Sequence, residues 1–174
     1  LDKIWLYTKS SAKNDIICFI NSDIILIPDF VKKIKTIKLK NYFIAGRRWD
    51  IDINKKIEFS SNWDQKLLKL INTNGVLHSA TGSDYFLFTR SIMPLMPSFA
   101  IGRGCWDNWL FYYFQKNKIP IIDGTEITTI HQNHDYSHVK SLTKNSTNKG
   151  IERDANNKIA NLSYINDMNI NDAR

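Results

Sequence analysis

Residues 16–30 read IICFINSDIILIPDF. Ile16 to Ile20 is an unbroken run of β-branched, aromatic and small apolar side chains, short enough for a strand buried on both faces of a parallel sheet. The polar triplet Asn21, Ser22 and Asp23 follows at its carboxyl end. Pro28 and Asp29 then open a helix to about Lys38, with Phe30, Val31, Ile34 and Ile37 on one face. A buried strand, a polar turn and a helix in that order predict an α/β unit with chemistry on the turn.

The flanking chain repeats the alternation. Residues 1–14 suit the end of a helix and a loop, and Tyr42 to Ala45 is a further strand ending in GRRWD. A helix is expected over 61–72, capped by Ser or Asn, and a strand over Asp84 to Arg90. A Gly- and Pro-punctuated loop covers 91–104. Trp106, Trp109, Leu110, Tyr113 and Phe114 then recur at helical spacing. IPIID and EITTI read as short strands leading into IHQNHDYSH, which holds three of the four histidines. The expected fold is therefore α/β with a mostly parallel sheet flanked by helices, where ligands gather outside the carboxyl ends of the strands. Residues 1–138 form the expected catalytic part, and 139–174 a polar, Asn-rich extension with one helix at Ile151–Ala160.

Composition narrows the classes. With 43% hydrophobic and 12% aromatic residues in 174, the chain is not disordered. No apolar run approaches the roughly 20 residues of a membrane span, and residues 1–15 lack a signal peptide's apolar core. The first residue is Leu, which predicts a fragment or a processed piece. Cys18 and Cys105 lack metal-type spacing and read as reduced core thiols of a cytoplasmic protein. The net charge of +7 fits a solvated lysine-rich surface better than a nucleic-acid patch.

Three stretches carry chemistry. A carboxylate on a turn after a buried strand, as in Asn21–Ser22–Asp23, can hold Mg²⁺ or Mn²⁺ against a diphosphate, or simply cap the turn. Asp107, at the start of the aromatic helix, is expected to stay ionised by the helix dipole and to accept a proton from a hydroxyl; as an N-cap it would serve only the helix. Arg103, between two glycines, has the fork-shaped donor set that fits phosphate. His131, His134 and His138 sit on the post-strand segment opposite these acids. His78 reads as a loop residue.

Taken together, ICFINSDIILIPDF, GSDYFLF, FAIGRGCWDNWL and IPIIDGTEITTIHQNHDYSH resemble the nucleotide-diphospho-sugar transferases of GT-A fold, near the family 2 glycosyltransferases, over roughly Ile16 to His138. The resemblance implies a GT-A-like, N-terminally incomplete domain that lacks its first strands. It matches Asp23 to the last Asp of the family's Asp-x-Asp motif, with Asn21 in place of the first. It further implies that Asn21, Ser22, Asp23 and Arg103 meet the donor diphosphate, that Asp23 and His131 hold Mn²⁺ or Mg²⁺, and that Asp107 is the base of an inverting transfer. Asp84, Tyr85, Trp106, Asn108, His134 and His138 are the expected donor or acceptor contacts. The implied partners are a nucleotide sugar and a glycan or other hydroxyl acceptor, not a nucleic acid. A metal-dependent phosphohydrolase and a basic nucleic-acid or glycan-binding module are the rivals.

Overall fold

The computed structural model describes residues 1–134, 150–160 and 168–173. Its strands form two four-stranded mixed sheets rather than one. The first takes β1 (Ile16–Ile20), β6 (Tyr85–Thr89), β3 (Phe43–Ala45) and β7 (Ile121–Asp123), in that spatial order. The second takes β2 (Ile24–Leu26), β8 (Thr129–Gln132), β4 (Trp49–Ile51) and β5 (Val76–Leu77). Among the described residues, only β3 with β7 and β4 with β8 run parallel; the other four pairings are antiparallel. The architecture is that of a small α+β protein, with five α-helices among the described residues, and the expected mostly parallel GT-A sheet is not what forms.

The cause lies in β6. Every residue of YFLFT is buried, so the strand looks like the interior of a parallel sheet, yet it runs antiparallel to both β1 and β3. A strand covered on both faces has the same residue pattern in either direction, because the pattern records burial and not the orientation of neighbours. One face of this sheet packs Phe43, Phe86 and Phe88 against α1 (Asp2–Ser11) and α4 (Trp106–Lys116), through Trp5, Trp106 and Phe114. The Phe43 and Phe114 rings stack with centroids 4.5 Å apart. The other face buries Ile44, Tyr85 and Leu87 under Phe30 and Ile34 of α2 (Asp29–Lys35). The second sheet packs Ile51 and Ile130 on Leu67 and Ile71 of α3 (Trp63–Asn74).

Three times the chain leaves the first sheet and enters the second: from β1 to β2, from β3 to β4 and from β7 to β8. The links are residues 21–23, 46–48 and 124–128. The seam is tight, since a Cβ on Gly46 would run into the Tyr85 hydroxyl and the Gly124 backbone. Tyr85 Oη donates to the Gly124 carbonyl at 2.6 Å and closes it. At the far end, α5 (Ile151–Ala160) packs against α4, and Ala160, Met168 and Ile170 join the first core. Cys105 is buried, but Cys18, expected in the core, is exposed. No helix among the described residues is long and apolar enough to cross a membrane.

Candidate metal centre and adjoining cleft

Strand register assembles the centre. His131 lies within β8, opposite Ile24 of β2 on one side and Asp50 of β4 on the other. Asp23 immediately precedes β2, and His134 follows β8 by two residues. These elements bring one ligand atom each from Asp23, His131 and His134 within 4.8 Å of one another. Asp23 Oδ2 lies 3.5 Å from His131 Nε2 and 3.3 Å from His134 Nε2. Asp23 Oδ1 is buried without a hydrogen-bond partner among the described residues, and a metal ion is one way to satisfy it.

The His131 ring is buried, 7% exposed. Burial, joined by the charge of Arg48, holds its pKa below the usual 6.5, against the opposing pull of Asp23 and Asp50. A neutral imidazole at neutral pH is the form that ligates metal. Two imidazoles and one carboxylate suit Mn²⁺ or Zn²⁺ better than Mg²⁺, which favours oxygen.

Asp23 also lines a cleft of about 550 Å³, together with Asn21, Ser22, Asp84, Trp106 and Asp107. Asp107 sits in the first turn of α4, whose N-cap is Cys105 in the left-handed region (φ 69°), so Asp107 is not the cap. Its Oδ1 is buried and without a hydrogen-bond partner among the described residues. Burial raises its pKa, opposed by the backbone N–H groups of Asn108 and Asp107 and by the charge of Arg153. A carboxylate whose pKa is raised is a stronger base than an exposed one.

The other predicted residues have other surroundings. Asn21 Nδ2 donates to Asp84 Oδ1 at 2.5 Å, and Asp84 Oδ2 accepts from Arg48 Nη1. Asp84 thus faces the cleft as the partner of Asn21 and Arg48. Tyr85 is in the core, 1% exposed. Arg103 Nε donates to Glu152 at 2.5 Å on α5, which occupies part of the donor set expected for phosphate. Trp106 is buried under the cleft and Asn108 donates to the Met168 carbonyl. His138 falls outside the described residues.

Sequence reasoning missed Arg48, Asp50 and Asn156. His78, read as a loop residue, has its Nδ1 2.6 Å from Asp50 Oδ2. The signal for the first pair was in GRRWD: positions 48 and 50 share one face of an extended strand, and Arg48 Nε donates to Asp50 Oδ1 at 2.8 Å. Asn156, fully buried, binds the Ala100 N–H (2.8 Å) and the Ala100 and Gly104 carbonyls (2.9 and 3.0 Å). It clamps the loop that walls the cleft. No local pattern in the sequence marks that role. Searches of family models, curated proteins and solved structures find no match to this chain.

Proposed function

We propose that this chain carries the metal centre and base of an inverting glycosyltransferase, which moves a sugar from a nucleoside-diphosphate donor to a hydroxyl acceptor. The observation that carries the proposal is that one cleft is lined by both Asp23, a member of the metal-capable triad, and Asp107, a carboxylate of raised pKa. Asp107 Oδ1 would take the acceptor's hydroxyl proton as the oxygen attacks the anomeric carbon. The sugar–phosphate bond breaks as the new glycosidic bond forms, and the electron pair leaves on the diphosphate. Asp23, His131 and His134 would hold Mn²⁺, which supplies positive charge for that leaving group. Asn21 and Ser22, on the same turn, would meet the diphosphate. A cytoplasmic setting goes with the absence of a disulfide pattern in the sequence.

Two imidazoles with a carboxylate also form a common donor set for metal-bound hydroxide, so a phosphohydrolase is the second reading. The binding-module rival has less support, because Phe111 and Phe114 are buried and Trp109 stacks on Tyr113, 5.3 Å between centroids. The test is a panel of nucleoside-diphosphate sugars with Mn²⁺, each assayed with and without hydroxyl acceptors. Acceptor-dependent release of nucleoside diphosphate is expected, falling about 10²- to 10⁴-fold in Asp107→Asn. Equal release without acceptor favours the hydrolase. Full turnover in Asp107→Asn, or Mn²⁺ binding unchanged in Asp23→Ala and His131→Ala, would refute the transferase mechanism.

A further inference from the structure

His131 has a second neighbour besides Asp23. Its Nδ1 lies 3.0 Å from Asp50 Oδ1, the residue directly across the parallel β4–β8 ladder. Asp50 is itself 19% exposed and fully engaged: Oδ1 also accepts from Arg48 Nε at 2.8 Å, and Oδ2 lies 2.6 Å from His78 Nδ1. The contact with the Arg48 guanidinium is an ion pair, the arrangement of an ionised carboxylate. Asp50 is therefore an acceptor only, with no proton to offer the ring.

A neutral imidazole carries one N–H. Carboxylate oxygens face both ring nitrogens, but Asp50 Oδ1 is hydrogen-bonded to Nδ1 at 3.0 Å while Asp23 Oδ2 stands 3.5 Å from Nε2. The proton therefore belongs on Nδ1, and the lone pair of Nε2 is left for an ion beside Asp23. We infer that Asp50 is the positioning residue of the metal centre: it fixes His131 as the Nδ1–H tautomer, with Nε2 aimed at the ion shared with Asp23 and His134. The inference rests on the metal reading proposed above and adds to it the tautomer and the residue that sets it. A carboxylate behind a ligating histidine fixes the ring and raises its basicity. Arg48 extends the support: through Asp84 it ties Asp50 to Asn21, so the far side of the turn holding Asp23 is anchored to the same network.

Two measurements on the full chain test this. Long-range ¹H–¹⁵N spectra of the imidazoles, recorded without metal, should show His131 protonated at Nδ1 and bare at Nε2. Asp50→Ala should lose that preference, and Asp50→Asn, whose amide oxygen still accepts, should retain it in part. Co²⁺ titration followed by visible absorption should then show affinity about 10- to 100-fold weaker in Asp50→Ala, with a smaller loss in Asp50→Asn and a shifted absorption band in both. A merely structural Asp50 predicts lower melting temperatures with the tautomer and the band unmoved. An Nε2–H His131 in the wild type, or equal Co²⁺ affinity in both folded variants, overturns the inference and leaves the metal site standing. Failure of the wild type to bind Co²⁺ or Mn²⁺ overturns the metal reading and this role of Asp50 with it.

Discussion

Asn21→Asp would install the carboxylate that the resemblance leads one to expect, and it should harm the protein. Asn21 Nδ2 is 2.5 Å from Asp84 Oδ1, so the new carboxylate would face an existing one where a hydrogen bond now stands. Two unit charges about 4 Å apart repel by about 4 kcal/mol at an effective dielectric near 20. Arg48 already serves both Asp84 and Asp50, and its charge offsets part of that. Adding the lost hydrogen bond, roughly 1 kcal/mol, the net cost at pH 8 is about 2 to 4 kcal/mol. The pair can relieve the repulsion by sharing a proton, which raises its pKa in the folded state. Its folded form then binds a proton that unfolded carboxylates, with values near 4, have lost. The deficit is therefore small near pH 4 and grows as pH rises through the raised value. Urea unfolding at pH 4.5, 6 and 8, followed by tryptophan fluorescence, measures it. Equal stability of variant and wild type at pH 8, or tenfold tighter Mn²⁺ binding by the variant, would refute the reasoning.

Three further expectations rest on His131 and Asn156. Burial and Arg48 hold the His131 pKa below 6.5, so Mn²⁺ affinity should persist as pH falls to 6.5 and decline only below it; a midpoint above 6.5 would contradict the described environment. The unfolded chain also binds more protons at this site between the lowered value and 6.5, so His131 makes stability rise with pH across that window. Asn156→Ala removes three hydrogen bonds to the loop backbone at Ala100 and Gly104 and should cost about 2 to 4 kcal/mol in urea unfolding. A loss under about 0.5 kcal/mol would show that the clamp is not needed.

The sequence makes element type and position legible where one period dominates. YFLFT is a strand and the Trp106–Phe114 spacing a helix, because burial imposes those patterns directly. IICFI is a strand too, but it runs along the sheet edge with only Ile17 buried, not in the interior that its apolar run predicts. Strand direction was not legible, since YFLFT is enclosed by helices on both faces and its residues are indifferent to the sense of their neighbours. The three-residue β2, β4 and two-residue β5 are too short to show a period, and with them went the second sheet. That Asp23 and the histidine segment meet was legible from their places along the chain, although His131 lies within β8 and not beyond it as expected. Asp50 was not, because its role depends on the register that sets it opposite His131, a relation between residues 81 positions apart.

The proposed ligands span a similar distance: Asp23 and His134 are 111 positions apart, and β2 reaches His131 only through its ladder with β8. Closing so long a loop is entropically slow, and contacts of such separation tend to form late on the way to the native state. The ligand set is therefore incomplete until the second sheet closes. An ion that binds there cannot nucleate the fold, because nothing in the early chain presents the three donors together. It meets a nearly finished protein, so its stabilisation falls on the escape from the native state. Mn²⁺ should slow unfolding and leave the refolding rate nearly unchanged.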